Sequence, residues 1–431
     1  LTINERQNSN ANNSIPMIEY QSKQLDNGLT VIAHQDLRSG MGVVNLLYDV
    51  GSRDEQPERT GFAHLFEHLM FGGSANIPDY DRVAQNMGAE NNAFTSSDLT
   101  NYYISFPAAQ LETALWLESD RMLQLDFSER SLEVQRQVVV EEYHQRYLNQ
   151  PFGDAWLRLR ALAYRNHPYR WATIGKEIAH IEEATLSEVE SFFYRHYRPN
   201  YAYLAVSGPY EPEQVFESVA RWFGDIPQGD RPPRDLPREP MPDAARYEEV
   251  CDPMLPADAI YLAFPMSGRD ESGYVAADLL SDVLGRGRSA RLYRRLVREK
   301  QVFGQINAYV SGERDPGLLV VSGHPAEGVG MGEATDAIWD ELNELKAHVL
   351  ERTEWQRQIN QIEAEYHFGH VQGLNVALNL CYNALLGDIE GINRHVERYT
   401  AVGPDAIKAA AQQIFREDRS SLLVYRRQTK S

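Results

Sequence analysis

Residues 61–70, GFAHLFEHLM, decide how this chain is read. On a helix, His64 and His68 lie one turn apart and stack on one face, where two imidazoles can share a metal. Glu67, three residues from His64 and next to His68, falls at the edge of that face. It can reach a water beside the metal rather than the metal itself. This is the inverted order of the HExxH zinc motif, and imidazole nitrogens suit zinc. The remaining residues, Phe62, Leu65, Phe66, Leu69 and Met70, are apolar. Two histidines and a carboxylate in that setting are costly unless coordinated or hydrogen-bonded.

A catalytic zinc takes three protein ligands and keeps one position open. The best source of a third ligand is the helix expected over Glu129–Leu148, with QRQVVVEEYHQ at residues 135–145. Glu141 stacks over Gln137 and Val138, and Glu142 over Val138 and Val139. The spacing leans to Glu142 as the carboxylate held inside, although the ordinary fate of either Glu is a solvated helix face. His144 points to a different face from Glu142.

Outward from this motif, strands are expected at Leu29–Ala33, Val43–Val50, Asn101–Phe106 and Tyr201–Ser207. Helices are expected from Phe62, and at Tyr80–Met87, Gln110–Leu123, Leu186–His196 and Pro212–Phe223. The mixture predicts an α+β fold. Residues 226–243, IPQGDRPPRDLPREPMPD, hold six prolines and no apolar period, and read as a stiff, solvated connector. The expected division is a mobile leader at 1–15, a catalytic domain at 16–226, a linker at 227–243 and a second domain at 244–431. The halves look like degenerate copies. A strand, GSRDE (51–55) and a helix ending near Gly72-Gly73 are matched by the strand Ala259–Pro265, SGRDE (267–271) and a helix ending near Gly285. Aligning the helices sets Ala277, Leu280 and Ser281 against His64, Glu67 and His68, so the chemistry belongs to the first half.

The 431 residues carry 42 Lys+Arg against 62 Asp+Glu, a net charge of −20. A field of that sign repels phosphate, which disfavours nucleic acid and suits basic or neutral peptides or metal cations. Cys251 and Cys381 can form one bridge at most and no thiolate zinc site. No apolar run is long enough to span a membrane. The chain opens at Leu1 rather than Met, with a polar Asn-rich leader of the kind signal cleavage leaves. The expected compartment is the bacterial periplasm, with the cytoplasm as the alternative.

GSRDE, GFAHLFEHLMFGGS, NNAFTSSDLTNYYISFP, LESDRM and RQVVVEE, in this order and spacing, resemble the pitrilysin and mitochondrial processing peptidase family of zinc metallopeptidases, in its short two-domain bacterial branch. LGRGRSARLYRRLVREK and DPGLLVV resemble its C-terminal domain. The resemblance implies two similar domains, each a mixed sheet with helices packed on one side. It implies one zinc ion per chain, held by His64, His68 and Glu142, with Glu67 as catalytic base. Gln135 stands where the family usually has a second Glu. Asn92, Ala93, Phe94 and Thr95 match the strand that pairs with substrate backbone by β-augmentation. Active relatives carry an Arg and, seven residues later, a Tyr that face the zinc. Here Arg298 is present, but Gln305 replaces the Tyr. The implied function is a zinc endopeptidase for short or unfolded peptides in an enclosed chamber. The expected partner is a paralogous subunit supplying the Arg/Tyr pair, with a homodimer as the alternative. The other readings are a non-catalytic structural or peptide-presenting subunit and a zinc-dependent peptide-binding module.

Overall fold

The computed structural model describes residues 17–230 and 234–427. The leader expected at 1–15 and linker residues 231–233 lie outside the described residues. The first half builds one sheet from β1 (Gln21–Gln24), β2 (Thr30–Gln35), β3 (Met41–Tyr48), β4 (Glu90–Thr95), β5 (Thr100–Pro107) and β6 (Ala202–Gly208), in the order β1-β2-β6-β3-β5-β4. The second half builds another from β7 (Arg246–Asp252), β8 (Ala259–Pro265), β9 (Phe303–Val310), β10 (Leu318–Pro325) and β11 (Ser421–Arg427), in the order β7-β11-β8-β10-β9. In the first sheet β2 and β6 run parallel and the other pairs antiparallel. In the second, β7 and β11 run parallel and the rest antiparallel. Apart from β1, strand order and sense repeat from one half to the other, as a duplication requires.

The helices of the first half are α1 (Phe62–Leu69), α2 (Tyr80–Asn86), α3 (Leu111–Leu123), α4 (Glu129–Tyr143), α5 (Ala155–Ala163), α6 (Ala179–Glu182), α7 (Leu186–His196) and α8 (Pro212–Phe223). Those of the second are α9 (Tyr274–Gly285), α10 (Met331–Ala347), α11 (Arg352–Gly369), α12 (Gly373–Leu385), α13 (His395–Thr400) and α14 (Pro404–Ile414). Local chemistry sets several starts. The Ser128 side chain accepts the Ser131 N–H at the head of α4, and Thr185 and Glu188 form a reciprocal capping box on α7.

Alternation along the strands divides each sheet into two buried faces. Val31, Ala33, Val44, Leu46, Tyr48, Leu204 and Val206 pack under the first half's own helices. Ile32, Val43, Leu47 and Ala205 face the other way, onto Val376, Ala377, Leu380 and Cys381 of α12. The second sheet repeats this. Ile260, Leu262, Phe264 and Val424 face their own helices, while Ala259, Ala263, Leu318, Val320 and Leu423 face Ala155, Leu159 and Ala163 of α5. Each half thus covers its own sheet on one side and lends one helix to the far side of the other sheet.

Ala277, Leu280 and Ser281 are all buried in the second half, and Asp278 and Asp282, also on α9, border a cavity. Cys251 is exposed, Cys381 is buried, and both are free.

The connector has no helix or strand among its described residues, and it is tied down. Arg234 pairs with Asp49 at 2.9 Å and with Asp54 at 2.6 Å. The Glu239 carboxylate accepts the backbone N–H groups of Arg165, Asn166 and His167 at 2.8–2.9 Å.

Candidate metal centre

Helix α1 starts at Gly61, whose φ of +91° is left-handed and whose absent side chain leaves room for Ile174 O and Ile181, each 2.8 Å from where a Cβ would lie. The Glu55 carboxylate accepts the N–H groups of Gly61 and Ala63, both at 2.9 Å, and so caps the first turn. Phe62, Leu65, Phe66 and Leu69 are buried, with Phe66 stacked on Phe192, Phe193 and Tyr197. This anchoring turns His64, Glu67 and His68 to the opposite side.

Glu142, near the end of α4, meets both histidines. His64 Nε2 lies 3.7 Å from its Oε1 and His68 Nε2 3.3 Å from its Oε2. One ligand atom from each of the three residues can be chosen so that all lie within 4.8 Å of one another, and among the described residues no other His/Cys/Asp/Glu group does this. Two imidazole nitrogens and one carboxylate oxygen are the donor set of a catalytic zinc, so the residues present fit the ion. Burial pushes His64 down to about 4, which favours the neutral imidazole that can ligate. The hydrogen bond from His68, with the charges of His64 and Arg146, holds the Glu142 carboxyl below its usual range against the opposing effect of burial.

Glu141 is exposed and bonds to Gln145. The neighbour that carries Glu142 inward is Val139, 1 % exposed, whereas Val138 is 45 % exposed. Past Tyr143 the helix widens into a π-helical turn, His144–Leu148, which brings Arg146 Nη1 within 2.7 Å of Glu142 Oε1. Sequence reasoning missed Arg146, although its i+4 spacing from Glu142 is a usable signal.

Thr95 Oγ1 donates to Glu67 Oε2 at 2.6 Å. Burial raises the Glu67 carboxyl above its ordinary value, opposed by this bond. Thr95 ends β4, which is the edge of the first sheet, with β5 on one side only. On β4 Asn92 and Phe94 are exposed, while Ala93 and Thr95 are partly buried. Beside them a cleft of about 590 Å³ lies between the halves. It is lined by Phe94, Thr95, Tyr147 and Trp156 from the first half and by Arg269, Glu313 and Tyr382 from the second. Arg298 does not join this group. It is exposed near the end of a π-helical turn, Tyr293–Glu299, and Gln305 is exposed on β9. Neither lines the cleft.

The floor of the cleft is a buried ionic seam between the halves. Arg53 pairs with Asp98 at 2.8 Å and Asp315 at 3.1 Å. Arg160 donates to Ser97 Oγ at 2.9 Å and Glu313 Oε1 at 2.7 Å. The Tyr169 hydroxyl donates to Asp98 and accepts the Asp315 N–H.

Two mixed domains share a cleft, and one of them carries an inverted zinc motif. The family model described as Insulinase (Peptidase family M16) matches residues 30–177. The Peptidase M16 inactive domain matches residues 183–362. The chain belongs to the M16 peptidase family. It is 28% identical to the zinc protease PqqE of Helicobacter pylori over 415 residues, which is 94% of this chain and 92% of that protein. The crystal structure of a protease from Helicobacter pylori superposes with a TM-score of 0.89 at 26% identity, over 95% of this chain and all of that one. The periplasmic protease PqqL of Escherichia coli shares the fold, with a TM-score of 0.79 at 17% identity, over 96% of this chain but 48% of that chain.

Proposed function

We propose that this chain is a zinc endopeptidase acting on short or unfolded peptides. The observation that carries the reading is the convergence of His64, His68 and Glu142 beside Glu67, which is itself held by the edge strand. Zinc bound by those three residues supplies a Lewis acid that lowers the pKa of water toward neutrality. Glu67 Oε2 is engaged by Thr95, which leaves Oε1 to take the proton from the attacking water. With its carboxyl raised by burial, Glu67 is a stronger base than a solvated Glu, and it returns the proton to the leaving amine. The open edge of β4 offers backbone N–H and C=O groups to an extended substrate through Asn92–Thr95. Glu67→Gln keeps the zinc and loses ~10²–10⁴ in turnover. The check is metal content together with cleavage of a quenched peptide, and equal cleavage by both proteins would refute the assignment.

The chain works as one of two units around a chamber, the second supplying the Arg/Tyr pair that Arg298 and Gln305 do not reproduce at this cleft. In support, the PqqL chain is about twice the span matched here. A paralogous partner is favoured over a second copy. Solution mass and peptidase rate of the chain alone, and then with the paralogue, decide between them: full activity alone sinks the partner. The periplasm is the proposed compartment, as for the protease PqqL, and cell fractionation tests it. Among the described residues no helix is long and apolar enough to cross a membrane.

A further inference from the structure

The duplication gives one matched pair of residues different fates. Arg53 and Arg269 hold equivalent places in the two halves. Both stand third in the matched segments GSRDE (51–55) and SGRDE (267–271). In each, the arginine N–H bonds to a carbonyl of the hairpin at the sheet edge, Ser97 O or Glu313 O, both at 3.0 Å. Arg53 is buried and meets Asp98, Asp315 and Asp49. Arg269 forms no ion pair among the described residues.

Its guanidinium lies 4.8 Å from the ring centre of Tyr274 and 5.1 Å from that of Tyr382. Its Nε–H donates to Gly312 O at 3.1 Å. Of the carboxylates nearby, Glu313 pairs with Arg160 at 2.7 Å and Asp270 with Arg314 at 3.4 Å; Asp278, which accepts the Tyr399 hydroxyl, attracts Arg269 from beyond ion-pair distance. Gly312, with φ +74°, keeps space beside the guanidinium, since a Cβ there would lie 3.1 Å from Nη2. Arg269 stands in the shared wall of two cavities, the cleft that holds Phe94 and Thr95 and a second space of about 370 Å³ beside Asp278 and Asp282.

A largely enclosed cation with no carboxylate in direct contact is compensated only in part by a more distant charge and by aromatic faces. A ligand carboxylate seated on the guanidinium adds the direct pair. We propose that Arg269 is the docking point for a carboxylate of the bound peptide, taken from its C-terminus or from an Asp or Glu side chain. With Nε committed to Gly312 O, the Nη1/Nη2 edge is what remains to hold both carboxylate oxygens. The site rests on the peptidase reading, because the cleft that Arg269 lines is the one in which Thr95 holds Glu67. In a chain of net charge −20 such a spot discriminates, since carboxylates are repelled elsewhere.

The test is fluorescence anisotropy on the zinc-loaded full chain carrying Glu67→Gln, so that binding rather than turnover is read. The probes are a neutral peptide with a free C-terminus, its C-terminal amide, and the amide with one internal Glu. We expect either the free acid or the Glu peptide to bind about tenfold more tightly than the plain amide. Which of the two does so identifies the source of the carboxylate. Arg269→Gln should abolish that preference with little change for the amide, and Arg269→Lys should keep part of it. The comparison of peptides on unmutated Arg269 needs no Arg269 variant to fold. Equal affinity for all three peptides, or a preference that survives Arg269→Gln, overturns the site. Cleavage unaffected by Glu67→Gln would instead refute the catalytic assignment and leave Arg269 standing, whereas no binding of any peptide overturns both.

Discussion

Thr95 joins the two parts of the site, because one hydroxyl ties the edge strand to the catalytic carboxylate. Thr95→Val keeps the strand shape but frees Glu67 Oε2. Turnover is expected to fall about tenfold, with KM changed less, since one charge-assisted hydrogen bond is lost. Steady-state kinetics on one peptide check this, and a loss confined to KM would assign Thr95 to substrate binding alone. A second residue reports through pH. Burial pushes the Asp282 carboxyl up to about 6, against the ion pair with Arg286 at 3.0 Å. Because the folded value lies above the unfolded one of about 3.9, the native state holds this proton more tightly. The contribution favours the fold at low pH and is lost as pH rises through about 6. Asp282→Asn mimics the protonated form, so its advantage should grow by on the order of 1–3 kcal/mol from about pH 4 to about pH 7. Thermal unfolding of both proteins across that range measures it, and parallel curves would refute it. At this scale the sequence named His64, His68 and Glu67 from spacing alone. Glu142 needed the resemblance as well, because half of the apolar surface invoked for it, Val138, is open to solvent. The link from Thr95 to Glu67 joins residues 28 apart in the chain, a separation that no local periodicity reports.

Among the elements, α1 is eight residues long, too short to be stable by itself, so its N-terminal cap matters. Glu55→Gln replaces one acceptor oxygen by an amide that faces backbone N–H donors. A loss of about 1–3 kcal/mol is expected, together with weaker zinc binding, because both histidines ride on this helix. Calorimetry and a zinc titration read the two effects separately. An unchanged zinc affinity would show that the histidines are held by packing on Phe192 and Tyr197 rather than by the cap. Helices with a clear apolar stripe were legible to the residue, as at Leu186–His196 and Pro212–Phe223. So was the strand Ala259–Pro265. Among the elements the sequence did not show, two have plain reasons. Strand β1, QSKQ, is polar and exposed throughout, so it carries no alternation to read. The π-helical turn after Tyr143 keeps helical composition while changing the hydrogen-bond register, and composition does not report register.

For the whole molecule, the decisive feature is the reciprocal loan of α5 and α12. Helices on one side of each sheet describes each half alone, but the far side is covered as well. The signal was present in the sequence. Val43–Val50 and Leu318–Val321 are near-continuous apolar runs, the mark of strands buried on both faces. What the runs could not tell is which helix does the covering, since α12 is more than three hundred residues from β3. Separated halves should therefore fail to fold as soluble units. Residues 1–226 alone would expose Ile32, Val43, Leu47 and Ala205, and are expected to aggregate unless residues 227–431 are expressed with them. Size-exclusion chromatography with and without the second fragment checks this, and a soluble, monomeric first fragment would contradict it.

The tethered connector has a consequence for wear in a protease-rich setting. A nick within residues 235–243 cuts the covalent chain but leaves both borrowed helices seated and the seam of Arg53, Arg160 and Tyr169 intact. The severed protein should migrate as one body under native conditions and as two bands only in denaturant, still carrying its metal. Damage within the connector would then be silent, and the molecule would age without falling apart.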